Sequence, residues 1–508
     1  MQLKRLYIKE YKILKDFTIE FPYDFNKYIS VFIGANGSGK STILEALADI
    51  LSWAYLNETA KFAFELEYSL KYEDLPNYAH PKSNKNTTRL NIKLIAAQPN
   101  TPIQIEIYNQ EGVIIYNGTT VDRDFMSFGI GGKDFSVLPE NVVIYYSGLS
   151  EIMKELCRPH EEKLSKAYRK GNPNINRDFF YYTRDHFEII LLSLLSFEYG
   201  DIPEFLRSKA KIAGMQSVQI RLQKPSWSKD THDNFWGAEG EVRNFLDFLN
   251  ENSASVDELQ NPQESNKKGN IVIEAWQDEA VIITILGLER LYEIREHLIE
   301  EKKLFDLLNI MLADGLLEDI SFSLIKVEKG NYQNFSILSE GEQQIITIKG
   351  LTELLSGKNT LFLFDEPDTY LHPKWQRQFI SEIEKTIDSA FESENTFVIA
   401  THSPQLLSNA KSDLNFVKII EDGSLVENTP KYYGREISSI LYNLMGVEER
   451  NETIRKDLSN LYTLIEDEEL QEAEEELKRL SDVLGETDPD IKNAELQIQY
   501  LKGDEADN

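Results

Sequence analysis

The apolar residues of this chain change their spacing several times, and each change marks an expected element. The opening stretch, KRLYIKEYKILKDFTIEFPYDFNKYISVFIG (4–34), predicts strands near 2–9, 16–21 and 28–33. Within it, ISVFI (29–33) is a nearly continuous apolar run, as expected of a strand buried on both faces. A glycine-rich loop follows, then helical spacing in STILEALADILSWAYL (41–56). Strand patterns resume from about 88 to 118, and NVVIYYSG (141–148) closes this first region.

From about 150 to 320 helical spacing dominates, in HFEIILLSLLSF (186–197), VRNFLDFL (242–249) and a long segment read as one helix from about 279 to 312. Between them ENSASVDELQNPQESNKKGN (251–270) is polar and turn-rich and reads as a loop. Strand chemistry returns in ISFSLIKVEKGNYQNFSIL (320–338), with Gly330-Asn331 as a hairpin turn. Then come a helix, the strand TLFLF (360–364), a helix over about 373–391 and the strand TFVIA (396–400). Such alternation predicts an α/β fold. The expected divisions are 1–150, a helical insertion over 151–319, a second α/β lobe over 320–430 and a helical extension over 431–508.

The extension has a narrow apolar seam. Leu470, Ala473, Leu477, Leu480 and Leu484 step by three and four, and Ile491, Ala494, Ile498 and Leu501 repeat the pattern. Pro489 suits the first position of the second helix, so a helical hairpin is expected. Over 451–508 there are six basic and eighteen acidic residues, a balance of −12. The stripe packs on its own protein or docks a basic partner or another subunit.

Composition narrows the classes. At 508 residues the chain can bury a large core and divide into more than one domain. Its 41% hydrophobic and 27% charged residues are those of a globular protein. The densest apolar run, IILLSLLSF (189–197), is too short for a membrane span, so no membrane contact is expected. The first residues, MQLKRLYIKEYK, lack the apolar core of a secretion signal. The single cysteine, Cys157, excludes an internal disulfide framework and fits a reducing cytoplasm. A formal net charge of −31 disfavours unspecific adhesion to nucleic acid.

Three strand ends carry candidate chemistry. GANGSGKS (34–41) fits the phosphate-loop pattern between a buried strand and a helix. Its glycines let backbone N–H groups surround phosphate oxygens, Lys40 reaches the β- and γ-phosphates, and the Ser41 hydroxyl suits Mg²⁺. LFLFDEP (361–367) places Asp365 as a metal partner and Glu366 as the base that orients or deprotonates water. VIATHSP (398–404) sets His402 at another strand end, where it can hydrogen-bond a γ-phosphate. LSEGEQQ (338–344) matches a capping box through Ser339 and Glu342, and a capped helix start is itself an anion site.

Taken together, these stretches resemble ABC-type ATPases. LSEGEQQ is similar to their signature motif, FDEPDTYLHP to the Walker B segment and D-loop, and ATHSP to the H-loop. KRLYIKEYKILKDFTIEF resembles the first strands of SMC-like and RecF-like heads. The resemblance implies a P-loop head with a parallel core sheet plus an antiparallel sheet. It implies ATP bound by Gly34, Asn36, Gly37, Ser38, Gly39, Lys40, Ser41 and Thr42, and Mg²⁺ held by Ser41 and Asp365. Glu366 and His402 become the catalytic pair. Two heads would meet face to face, with Ser339, Gly341 and Glu342 serving the neighbour's ATP and Asp368 near the shared interface. One departure stands out: no Q-loop glutamine follows NVVIYYSG, where Tyr146-Ser147 occupies the place, and Ser147 is a candidate substitute.

YYGREISSILYNLMGV (432–447) and the hairpin after it resemble the C-terminal extension of PtuA-type ATPases of Septu and retron-linked anti-phage systems. Those act beside a separate HNH nuclease. The implied function is an ATP-driven sensor or scaffold, a homodimer of heads or a higher homo-oligomer, that restrains a nuclease effector. A DNA-repair or recombination ATPase of the RecF or SMC type is the alternative. The mixture of basic and aromatic residues in CRPHEEKLSKAYRKGNPNINRDFFYYTR (157–184) would suit nucleic-acid contact, although a solvated helix face with core aromatics explains it as well. A transporter ATPase is disfavoured by the long insertion, and a fused nuclease because the segment after His402 reads as helical and lacks a strand-borne acidic cluster.

Overall fold

Three strands with no polar face fix the centre of the molecule. Ile29–Ile33, Thr360–Asp365 and Thr396–Thr401 are buried at every position, as strands covered on both sides must be. In this computed structural model they lie side by side and parallel, Ile29–Ile33 at one edge of the trio. The structure describes the chain except residues 23–27, 74–86, 110, 120–136, 149, 170–176, 229–234, 254–270, 277–279, 329–330, 336–337, 358, 390–393, 412–414, 428, 436–449 and 507–508. Among the described residues the sheet has seven strands. Asn141–Tyr146 and then Phe179–Tyr181 extend it beyond Thr360–Asp365, and Asn415–Glu421 extends it beyond Ile29–Ile33. The short antiparallel strand Ser424–Leu425 closes that edge.

The register matters for function. Thr401 pairs with Ile33, Asp365 with Ala400, and Tyr146 with Asp365, so four strands end nearly flush. The loops that follow them share one edge, where open parallel sheets bind ligands.

The helix Lys40–Leu56 packs between this sheet and a second one. Ile43, Leu47, Ile50 and Leu51 join a core shared with both. The second sheet has six antiparallel strands in the order Leu14–Glu20, Gln2–Tyr11, Phe64–Glu73, Thr87–Ala96, Gln104–Tyr108, Ile114–Thr119. The parallel core sheet plus antiparallel sheet is the α/β class read from the sequence.

The stretch expected to be a helical insertion is corrected. It contains helices, including Glu151–Arg169, Phe187–Leu195 and Gly240–Glu251. It also contains most of a five-stranded antiparallel sheet, ordered Ile271–Trp276, Ala280–Leu286, Ile212–Gln223, Leu317–Glu328, Asn331–Phe335. The helix expected from 279 to 312 is instead the strand Ala280–Leu286 followed by the helices Leu288–Leu298 and Glu301–Ala313. Its β-branched run, AVIITIL, alternates buried and half-buried positions, the two-residue period of a strand. Leu317–Glu328 pairs with Ile212–Gln223, Ile320 facing Ile220, so the strand region expected from 320 onward sits in the insertion's sheet. Of the hairpin turn read at Gly330-Asn331, Gly330 lies outside the described residues and Asn331 opens a strand. Most of the loop read at 251–270 also lies outside the described residues.

Residues 435–508 form a separate compact unit. Leu470–Leu484 and Pro489–Ala506 are the two expected helices, with Pro489 at the first helical position. A third helix, Glu452–Glu466, was not foreseen; Asn451 caps it by accepting from the Ile454 N–H at 2.9 Å. Its Leu458, Leu461 and Ile465 cover the seam of Ala473, Leu480, Ile491, Ala494 and Ile498, so the stripe is buried within its own unit. The residues 436–449, which carry most of the resemblance at 432–447, lie outside the described residues. Among the described residues no helix is long and apolar enough to cross a membrane.

Candidate active site

The loop after Ile29–Ile33 is shaped by contacts that side chains would block. A Cβ on Gly34 would sit 2.2 Å from the Ile420 carbonyl oxygen, so only glycine allows the loop to lie against Asn415–Glu421. Gly37 and Gly39 take positive φ, turning the chain into the helix Lys40–Leu56. That helix has no acidic residue in its first turn, which leaves its positive end free for an anion. Ala35, Asn36 and Gly37 are exposed at the rim, Ser38 and Lys40 are buried, and Ser41 and Thr42 are half-buried at the helix start.

Lys40 is only 4% exposed, and its Nζ donates to the carbonyls of Gly34 and Ala35, each at 2.9 Å. Burial lowers its pKa, while Glu366 and Asp365 oppose the shift. The Ser38 carbonyl accepts from the Gly423 N–H at 2.8 Å, fastening the loop to the sheet edge.

Asp365 ends its strand at 1% exposure. Burial pushes its pKa up to about 6, with Ser41, Tyr146 and Lys40 opposing and the charge of Glu366 adding to the rise. Both of its carboxylate oxygens nonetheless lack a hydrogen-bond partner of good geometry. A buried, unsatisfied carboxylate beside a serine hydroxyl is the hard-oxygen set that suits Mg²⁺, so Ser41 and Asp365 fit that ion. When bound there it would supply positive charge against phosphate oxygens.

Glu366 adopts φ of 51°, a left-handed conformation that is uncommon for this residue type. Its N–H is tied to the Ala400 carbonyl at 2.8 Å. Its Oε2 stands 2.6 Å from His402 Nδ1 and accepts from the His402 backbone N–H at 3.3 Å. The imidazole is 52% exposed and the carboxylate 19%, so the pair faces outward from the sheet edge. Strain of this kind persists only where neighbours over-determine it, and it concentrates at functional positions.

Asp368, expected near a shared interface, is turned inward at 2% exposure. Its Oδ1 accepts from Thr401 Oγ1 at 2.8 Å, and its carbonyl accepts from Gln376 Nε2 at 3.0 Å. Burial raises its pKa against the pull of Thr401 and Ser403.

Ser339, Gly341 and Glu342 sit at the start of the helix Glu340–Leu354. Ser339 is its N-cap, and the capping box is complete: the Ser339 N–H and Oγ donate to Glu342 Oε2 at 2.9 and 3.0 Å. Lys326 holds the other side of Glu342, 2.8 Å from Oε1. Burial works against ionisation of Glu342, yet Lys326 and Ser339 hold its carboxyl below the usual range. Gly341 passes the Tyr370 carbonyl so closely that a Cβ would stand 3.0 Å from it. Ser339 is exposed, and among the described residues no hydrogen bond joins this helix start to the phosphate loop.

The structure thus brings Lys40, Ser41, Asp365, Glu366 and His402 to one edge and leaves the Ser339 turn apart from them. It also shows side chains that motif reading missed. Gln344 Nε2 donates to the Tyr145 hydroxyl at 3.1 Å while its Oε1 accepts from the Tyr370 N–H at 2.9 Å. This joins the helix, the D-loop and the strand Asn141–Tyr146 around a cleft of about 550 Å³. Ser147 accepts from Thr369 Oγ1 at 3.3 Å.

The basic and aromatic stretch at 157–184 divides differently. Phe179, Phe180 and Tyr181 are core residues, at most 4% exposed, and so are closed to base stacking. Lys163 pairs with Asp178, Arg158 with Glu155 and Lys166 with Glu162. The described part is a solvated helix face over core aromatics. Cys157 is buried, and burial raises its thiol pKa well above the usual value, as expected of an inert thiol.

Residues 1–407 match the profile of a family described as the AAA ATPase domain. The chain is 22% identical over 446 residues to the Retron Vc95 probable ATPase of Vibrio cholerae, covering 82% of this chain and 74% of that protein. It is 24% identical over 132 residues to the Retron Ec83 probable ATPase of Escherichia coli, covering 26% of this chain and 23% of that one. Among solved structures it is similar to an SMC head bound to the C-winged helix domain of ScpA, at 13% identity, with 84% of this chain and 96% of that chain covered and a TM-score of 0.32. The SMC head domain from Thermotoga maritima aligns at 13% identity, with 85% and 100% covered and a TM-score of 0.29. With the family profile spanning most of its length, the chain belongs to the AAA ATPase domain family.

Proposed function

We propose that this protein binds and hydrolyses ATP with Mg²⁺, and that two copies associate around the nucleotide. The observation that carries the reading is the shared strand edge. A lysine-bearing anion loop, an unsatisfied buried carboxylate and a strained glutamate braced by a histidine lie together there. Glu366 takes the proton of the attacking water as the bond from the γ-phosphorus to the leaving ADP oxygen breaks, and His402 keeps that carboxylate in place.

Ser339 is exposed, preorganised by its own capping box and separate from the phosphate loop, which suits a contact made with a neighbour's triphosphate. On this reading ATP holds the copies together and hydrolysis releases them. The similarity to two retron probable ATPases supports a place in anti-phage defence, as a sensor or scaffold that restrains a separate nuclease.

Two variants test the reading. Glu366→Gln should cut turnover by ~10²–10⁴-fold and let an ATP-dependent assembly accumulate, measured by phosphate release and light scattering. Ser339→Asn keeps a good N-cap residue, so the helix stays capped while a hydroxyl in reach of a neighbour's phosphate is lost. Assembly on ATP should then fail with the thermal midpoint unchanged. Undiminished turnover in the first variant, or full assembly in the second, would sink the assigned roles.

A further inference from the structure

We propose that Tyr146 is the positioning residue that sets Ser41 and Asp365 for the divalent cation, in the place where the sequence offered Ser147. The inference rests on the nucleotide reading above and adds a residue to it.

Sheet register carries the case. Asn141–Tyr146 and Thr360–Asp365 run parallel, with Val142 opposite Leu361, Ile144 opposite Leu363 and Tyr146 opposite Asp365. Residues paired in this way put their side chains on the same face of the sheet. That face is the one covered by the phosphate-loop helix: Val142, Ile144, Leu361 and Leu363 share a core with Ile43, Leu44 and Leu47, and the Tyr146 ring packs against it. The ring therefore lies under the first turn of Lys40–Leu56, where Ser41 stands. Its hydroxyl is beside both Ser41 and the Asp365 carboxylate.

A phenol is suited to this position because one oxygen can donate to a carboxylate and accept from a hydroxyl at once. In that role it would link the two oxygen groups that fit the cation, without being one of them. Such outer partners orient ligands and tune their basicity.

Ser147 is directed elsewhere. As the next residue it belongs to the alternate direction, and its Oγ accepts from Thr369 on the D-loop at 3.3 Å. Tyr146 also borders the cleft lined by Tyr145, Tyr182, Gln344 and Tyr370.

The experiment uses the full chain as wild type, Tyr146→Phe, Ser147→Ala and Lys40→Ala. Binding of the fluorescent analogue mant-ATP is followed in EDTA and across a Mg²⁺ titration, and ATP turnover is measured beside it. Tyr146→Phe keeps the ring and removes only the hydroxyl. It should bind mant-ATP in EDTA as the wild type does, while the Mg²⁺ concentration for half-maximal enhancement rises ~10–100-fold. At saturating Mg²⁺ its KM for ATP should be unchanged and its kcat reduced.

Ser147→Ala should leave the Mg²⁺ midpoint at the wild-type value. A wild-type midpoint in Tyr146→Phe overturns the proposal, as does a shift confined to Ser147→Ala. If Tyr146→Phe does not fold, Tyr146→Met, also without a hydroxyl, takes its place with the same readout. Should wild type bind mant-ATP no better than Lys40→Ala, the nucleotide reading itself falls and takes this one with it.

Discussion

His186 shows how a single residue acquires a measurable pH signature from its place in the fold. It closes a capping box with Thr183, whose N–H donates to His186 Nδ1 at 2.9 Å, and the ring is buried against Phe180. Burial pulls its pKa down to about 3, helped by the nearby charge of Arg177. The ring thus stays neutral in the folded protein at pH values where the unfolded chain, with an ordinary pKa of about 6.5, takes up a proton. Stability from this residue is full above the unfolded value and is lost as pH falls from there toward 3, at about 1.4 kcal/mol per pH unit. Glutamine also satisfies a capping box but does not titrate. His186→Gln should therefore flatten the fall in denaturation midpoint between neutral pH and pH 4.5, by about that slope. An acid profile parallel to wild type would show that His186 does not contribute.

Motif reading singled out Lys40, Asp365, Glu366 and His402, which the structure brings to one edge, because each follows from local chain chemistry: a glycine loop or a strand end. It gave no role to Tyr146 or Gln344, because their contacts depend on which strand lies opposite, and on which way a side chain points once it does.

At the scale of elements, the helix Glu340–Leu354 makes one especially close crossing. A Cβ on Gly350 would lie 2.2 Å from Ile190 Cγ2 and 3.3 Å from Leu194 Cδ1, so Glu340–Leu354 meets Phe187–Leu195 through a glycine. Ile190 is fully buried and β-branched, with little freedom to yield. Gly350→Ala should destabilise by ~1–3 kcal/mol through overpacking. Ile190→Ala removes the clashing methyl, so the double variant should be more stable than the two single losses summed. Strict additivity in denaturant titrations would mean that the crossing relaxes elsewhere.

Sequence reading recognised this helix through Ser339 and Glu342 but misjudged its neighbours in the insertion. There a dense run such as Ala280–Leu286 is too short and too apolar for periodicity alone to separate strand from helix. Gly287, at φ of 82°, was the available signal that the run stops before the next helix. The third helix of the extension was missed because its apolar positions, Leu458, Leu461 and Ile465, complete a bundle rather than continue the seam.

For the whole molecule, the division at Gly434 separates a chain segment containing every nucleotide motif from a unit whose described residues form three helices with their own core. The head was legible from its motifs and buried strands; the packing of Glu452–Glu466 on the hairpin was not, because the seam satisfied a two-helix reading. A chain ending at Gly434 is expected to fold and to bind mant-ATP with wild-type affinity. A folded truncate with clearly weakened binding would show that residues 435–508 contribute to the nucleotide site.

The ion pair between Lys326 and Glu342 has a longer reach than its 2.8 Å suggests. Lys326 belongs to the strand Leu317–Glu328, and Glu342 is half of the cap that holds Ser339. The insertion's sheet is thereby coupled to the turn that, on the function proposed above, meets a second copy. A cue that shifted that strand would loosen or tighten the grip between protomers without touching the phosphates. By the reciprocity of linked equilibria, clamping two copies on nucleotide would change how readily the insertion accepts its cue.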